Sequence, residues 1–514
     1  MSESKTVLEL LTKGDPRSIA LCSEQQPPLT YEGIHALAIE TISGLNEIGI
    51  GRNDTVAIVL PNGPMMATAF VCIAGAATTA PLNPGYRQEE FEFYLDDLNA
   101  RALVVEEGSQ SPAVSAAEKL GIKVIYLLRE DDQPSGYFRF STEQENGIDA
   151  LDDEKTGQAD AQDIALILHT SGTTSRPKIV PLSHQNVCAS AANIMSSLDL
   201  SAGDRCMNIM PLFHIHGLIA VILSSLRAGA SVYCTPGFNA LKFFSWMEDA
   251  KPSWYSAVPT MHQAILARAG RAKSTIEAHP LRLIRSSSSS LPPQVMAELE
   301  ATFQTPVIEA YGMTEAAHQM ASNPLPPLSR KPGTVGLAAG PEVAIMNERG
   351  DILSQGEVGE IVIRGDNVTS GYKNNPKANA ENFTNGWFRT GDQGMLDSEG
   401  YISITGRLKE IINRGGEKIS PREVDEILMD HPAIAQCVTF AMPHEKLGEE
   451  VAAAVVLREG EVADEKEIRR FTAQHLADFK VPRRVLILDE IPKGATGKLQ
   501  RIGLAEKLAD QLAG

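Results

Sequence analysis

The stretch ILHTSGTTSRPKIVPLSH, Ile167 to His184, decides how this chain is read. An apolar run, Ala165 to Leu168, has the look of a strand, and it spills into Thr170, Ser171, Gly172, Thr173, Thr174, Ser175 and Arg176 before Pro177 and Lys178. Hydroxyls, exposed backbone N–H groups and one lysine together can wrap a polyphosphate, offering many weak donors and a single point charge. The pattern is not GxxxxGK[ST], because it has one glycine and Lys178 follows a proline instead of opening a helix. The competing reading is a polar hairpin with no ligand.

Outward from this loop the chain keeps a layered α/β rhythm. Helical periodicity in YEGIHALAIETISGLNEIG alternates with short strand-like runs such as TVAIVL and RALVVEE. From about Glu342 the texture turns to β, with VAIMN, EVGEIVIRG and GYISITG separated by glycine-rich turns. After GRLKEII the alternation resumes in PREVDEILMDHP, CVTFAMP and VAAAVVL, an α+β unit of its own. The expectation is a large multi-layer α/β domain over 1–408, β-rich from about 341 to 408, followed by a small mobile α+β domain over 409–514.

Composition narrows the partners. With 514 residues, 43% hydrophobic and 22% charged, the chain has ample material for two or three cores. A net charge of −19 argues against nucleic acid or an anionic membrane and toward small-molecule chemistry. Six scattered cysteines without a CxxC pair fit reduced thiols and provide no metal framework. The start MSESKTVLELLTKGDPRS lacks a basic-then-apolar signal pattern. MMATAFVCIAGAATTAPL reads as buried helix and strand, and ADQLAG lacks a Ser-Lys-Leu address. A cytoplasmic protein, monomeric or a small homo-oligomer, is expected.

A second run raises a question of its own: IRSSSSSLPPQ places Ser286 to Ser290 in a row. A serine tract is ordinarily a solvated linker. Around it stand PLFHIHG (Pro211–Gly217), YGMTE (Tyr311–Glu315), GWFRTGD (Gly386–Asp392), GRLKEIINRGGEKISPREVD (Gly406–Asp425) and PKGATGKLQR (Pro492–Arg501). In this order, and together with the phosphate loop, these runs resemble the signatures of the adenylate-forming superfamily, which includes acyl-CoA synthetases, peptide-synthetase adenylation domains and firefly luciferase. TSGTTSRPK, PLFHIHG and YGMTEAAHQMASNPLP are more narrowly similar to the oxalyl-CoA synthetase branch of plants and fungi.

The resemblance implies ATP, Mg²⁺ and coenzyme A as partners, and roles for individual residues. Thr170 to Ser175 with Lys178 would hold the phosphates, Glu315 the Mg²⁺, and Thr314 the α-phosphate. Tyr311 would face adenine, with Ser289, Glu309 and Ala310 beside it, and Asp392 and Arg407 would fix the ribose. Lys498 would bridge the substrate carboxylate and the α-phosphate during adenylation. Lys409 matches a hinge about which the small domain turns, bringing Arg414, Gly415, Gly416 and Lys418 toward coenzyme A. Many family members carry a glycine- and alanine-rich wall where this chain has Ser287, Ser288 and Ser289. Hydroxyls there, with His214, Gly312 and His318, imply a short polar pocket for an acid with a second carboxylate.

The residues also allow plainer readings. Asp392 could be a cap or turn residue, Lys498 a solubilising lysine, and His318, four residues beyond Thr314 on an expected helix, a core histidine. His214 and His216 lack a third ligand for zinc, and His216 reads as structural. Ser175 and Ile179 stand where many members have glycine, which puts the loop's geometry in question. The sequence points to an acid–CoA ligase acting on oxalate. Malonate or acetate, a carrier-protein-loading enzyme and a nucleotide-binding regulator remain alternatives.

Overall fold

The computed structural model describes residues 4–129, 132–141, 153–170, 177–492 and 501–512. Among them the strands form four sheets. The first has nine strands, and its centre runs in parallel through Val307–Met313, Leu283–Ser286, Trp254–Ala257, Arg205–Asn208, Ser231–Cys234 and Ile19–Cys22. These strands read as continuous apolar runs because both faces are covered, the burial that parallel sheets require. The second sheet has seven strands, with Lys123–Leu128, Ala102–Glu106, Thr55–Val59, Thr78–Pro81 and Ile164–Thr170 in parallel at its centre. The run that sequence alone marks as most apolar forms the helix Pro64–Ala74 and the strand Thr78–Pro81, which pack in the main core. No helix among the described residues is long and apolar enough to cross a membrane.

The third sheet is antiparallel and takes its strands from Glu342–Met346, Gly359–Arg364, Phe383–Thr384, Trp387–Leu396 and Ile402–Arg407. The fourth lies beyond Lys409, in Ile412–Arg414, Glu417–Ile419, Ile434–His444, Gly448–Leu457 and Arg484–Ile487. It packs with the helix Pro421–Met429 on a separate apolar cluster that includes Ile412, Val424, Leu428 and Val451. A mixed α/β body followed by a smaller α+β unit is the expected class. All six cysteines are free thiols.

One local expectation is overturned. His318 does not lie on a helix continuing from Thr314: a single turn, Thr314–Ala316, is followed by the strand His318–Ser322. Ala317 and His318 take φ of 46° and 96°. These left-handed steps reverse the chain so that Met313 pairs with His318 and Gly312 with Gln319.

Candidate active site

In open α/β sheets, ligands settle at the carboxyl ends of parallel strands. Here the strands Trp254–Ala257, Leu283–Ser286 and Val307–Met313 end side by side, with Ser256, Arg285 and Ile308 in register. The serine tract is the exit from the middle strand. Ser287 donates its N–H to the Ala257 carbonyl at 3.2 Å and its hydroxyl to the Ala310 carbonyl at 2.9 Å. Ser288 turns through φ of 73°, and its Oγ lies 3.0 Å from His216 Nδ1, whose Nε2 lies 2.6 Å from Ser256 Oγ. Ser286, Ser287 and His216 are buried, so the first half of the tract is a braced wall. Ser289 and Ser290 are exposed, and they line a cleft shared with Arg422, Asp425 and Glu426 of the helix Pro421–Met429. His214 sits half-buried at the edge, its ring against Phe213.

Behind the wall lies a group that the sequence reading passed over. Arg285 is fully buried, and none of the described residues gives it a carboxylate partner. Its Nη1 lies 3.4 Å from His318 Nε2, 3.5 Å from His216 Nε2 and 3.4 Å from Ser256 Oγ, while Nη2 donates to Gln319 Oε1 at 3.0 Å. Desolvation pushes the guanidinium pKa down to about 9, which leaves it charged at neutral pH. The signal for it was a lone basic residue inside a buried, otherwise apolar strand. Gly312 makes the packing possible, because a Cβ there would fall 1.7 Å from the His318 carbonyl oxygen and 2.3 Å from its Nδ1.

Three clusters surround this wall. Tyr311, buried, donates its hydroxyl to Asp392, and Asp392 Oδ1 accepts from Arg407 Nε at 3.0 Å across paired strands. The Asp392 carboxylate raises the Arg407 pKa, and burial raises that of Tyr311. Glu315, also buried, accepts from the Tyr372 hydroxyl at 2.8 Å, and Lys178 Nζ stands 4.3 Å from the centre of the Tyr372 ring. Burial raises the Glu315 carboxyl pKa and lowers that of Lys178. Tyr372 went unnoticed because SGYKNNP reads as an ordinary turn. Glu309, deeply buried, accepts the Leu291 N–H at 3.0 Å and so ties down the far end of the serine run. Desolvation raises its carboxyl pKa to about 7.

The remaining expected residues lie elsewhere. Thr170 pairs with Lys178 at the base of a hairpin, but Ser171 to Ser175 fall outside the described residues, as does Lys498. Thr314 is half-buried and Ala310 buried. Arg414 Nε donates to Glu450 Oε1 at 2.5 Å, and Gly415 and Gly416 carry φ of 58° and 100° in an exposed turn beside the exposed Lys418. Lys409 is exposed between the third and fourth sheets. No group of three or more potential metal ligands occurs among the described residues.

A polar rim at the ends of a parallel sheet, followed by a smaller α+β unit, is the architecture of adenylating enzymes. The chain belongs to the AMP-binding enzyme family: that family's model matches residues 10–373, and the model of its C-terminal domain matches 423–498. Among its relatives, the oxalate–CoA ligase of Arabidopsis thaliana is 45% identical over 510 residues, covering 98% of each chain. The oxalate–CoA ligase of Saccharomyces cerevisiae is 44% identical, over 89% of this chain and 87% of its own. Among solved structures, ATP-bound MatB from Rhodopseudomonas palustris superposes with a TM-score of 0.88 at 28% identity, covering 99% of both chains.

Proposed function

We propose that the chain joins oxalate to coenzyme A in two half-reactions. A carboxylate oxygen of oxalate attacks the α-phosphorus of ATP, forming oxalyl-AMP and releasing pyrophosphate. The coenzyme A thiol then attacks the oxalyl carbonyl, gives up its proton and displaces AMP. The observation that carries this reading is the small hydroxyl- and imidazole-lined wall of Ser286, Ser287, Ser288, His216 and His318, buried at all of these except Ser288, which is half-buried. A fatty acid would meet polar groups it cannot satisfy, whereas a two-carbon diacid brings acceptors for each donor. The likeness to two oxalate–CoA ligases supports the same substrate.

Within this reading the Tyr311–Asp392–Arg407 cluster binds the nucleoside, with Ser289, Glu309 and Ala310 beside it. Thr170 to Ser175 with Lys178 hold the phosphates, and Thr314 the α-phosphate. The Glu315 carboxylate is a hard oxygen donor oriented by Tyr372, and it would hold a Mg²⁺ that neutralises charge on the phosphates. His214 and His318 orient the acid, and Lys498 stabilises charge as the adenylate forms. Lys409 marks the boundary between domains 1–408 and 409–514 and is the hinge. Rotation there exchanges Lys498 for the Arg414–Lys418 turn, which admits coenzyme A. The test is AMP release from ATP and coenzyme A across oxalate, malonate, acetate and a medium-chain fatty acid. Oxalate should give the highest kcat/KM, and a higher value for any of the other three acids would overturn the assignment.

A further inference from the structure

A guanidinium inside a folded core is costly unless an anion accompanies it. Arg285 is 0% exposed, and among the described residues its Nε has no hydrogen-bond partner and no carboxylate stands against it. Its neighbours are instead two imidazoles, a serine and a glutamine amide. Because a guanidinium only donates, the contact at 3.4 Å makes His318 Nε2 the acceptor and places that ring's proton on Nδ1. Nδ1 is buried and packs against Gly312, where a Cβ would have come within 2.3 Å. His216 is held on its other side by Ser288 Oγ at 3.0 Å, the serine turned by its positive φ. Among the described residues the core thus carries a positive charge with no carboxylate against it, in contact with the His318 ring.

We propose that Arg285 is the specificity-determining charge of the acid pocket, a positioning residue that turns the Nδ1–H of His318 toward the substrate and offers a buried positive charge that only an acid with a second carboxylate neutralises. This rests on the oxalate reading and deepens it. After the first carboxylate is adenylated, the second remains anionic and supplies the missing counter-charge. A monoacid of similar size leaves the guanidinium as uncompensated as before.

The experiment compares R285M, R285Q and R285K with the wild type, using purified full-length protein. The ATP-induced rise in melting temperature shows which variants keep the nucleotide site, and kcat and KM are then measured for oxalate and for acetate. In R285M and R285Q the oxalate-to-acetate ratio of kcat/KM should fall about 10- to 100-fold, the value of a hydrogen bond to a charged group. The loss should appear mainly in the KM for oxalate, with the KM for ATP within about twofold, and R285K should recover part of the ratio. An unchanged ratio in variants that still respond to ATP overturns the proposal while leaving the oxalate reading standing. Loss of the ATP response in all three variants would make Arg285 a structural residue and also overturn it. A wild type without oxalate-dependent AMP release would defeat the functional reading and, with it, this one.

Discussion

Replacing Gly312 with alanine tests the site where the packing is tightest. The new Cβ would stand 1.7 Å from the His318 carbonyl oxygen and 2.3 Å from its Nδ1. Ordinary contact requires about 3.4 Å or more. The obstacle on one side is backbone held in the pairing of Gly312 with Gln319 and of Met313 with His318, so no rotamer change relieves it. The strand His318–Ser322 must move outward by roughly 1 Å or more, at a cost in the range of about 1–3 kcal/mol for overpacking. A displacement of that size at a substrate-orienting group is worth on the order of 10²-fold in rate. G312A should therefore melt a few degrees lower and lose about two orders of magnitude in kcat/KM for oxalate. Its KM for ATP should change much less, because Asp392 and Arg407, which hold the Tyr311 hydroxyl, lie on Trp387–Leu396 and Ile402–Arg407 in the third sheet and not on the strand that moves. Scanning fluorimetry and oxalate-dependent pyrophosphate exchange read both quantities. Wild-type exchange kinetics in a variant that still melts normally would refute the claim that His318 is held in place by the missing Cβ.

Three further outcomes are expected. K498A should lose about two to three orders of magnitude in adenylate formation, as for a single transition-state charge, while thioester formation from supplied oxalyl-AMP persists. Equal losses in both half-reactions would remove Lys498 from that role. K409P should keep adenylation and lose transfer to coenzyme A, since a fixed φ blocks the hinge, and wild-type rates for both steps would defeat the rotation. Burial raises the Glu309 carboxyl pKa from 4.5 to about 7, so the folded state holds a proton that the unfolded state has released between these values. The stability tied to that proton is present below pH 4.5 and is lost as pH rises through 7. E309Q should therefore gain in melting temperature relative to wild type as pH is raised from 5 to 8. A constant difference across that range would refute the assignment.

Much of the architecture was legible in the sequence because it is written in periodicity. The apolar strands, the β texture after Glu342 and the smaller α+β unit that follows all follow from which faces are covered. Motif resemblance names Tyr311, Asp392 and Arg407, although nothing in any of them alone reveals that they touch. His318 was misplaced on a helix because local spacing carries no sign of two consecutive left-handed residues, Ala317 and His318, neither of which is glycine. Arg285 was missed for a different reason. Composition rules place arginine at the surface, and only the sheet register shows that its neighbours are Ser256 and Ile308 in the middle of a parallel sheet. Sequence alone groups Ser287, Ser288 and Ser289 along one pocket, whereas the strand exit buries Ser287 and leaves Ser289 exposed.

That division sets the terms for redesign. Ser287 bonds the Ala310 carbonyl and Ser288 the His216 ring, so under the proposed function enlarging or stripping them would alter which acid fits. Ser289 and Ser290, one and two residues on, face the cleft toward Arg422, Asp425 and Glu426, where a substitution meets the C-terminal unit instead. A library meant to retarget the acid should randomise the first pair and leave the second untouched. A spectroscopic label for following domain position belongs at Ser290, where it would report on closure without entering the acid's binding wall.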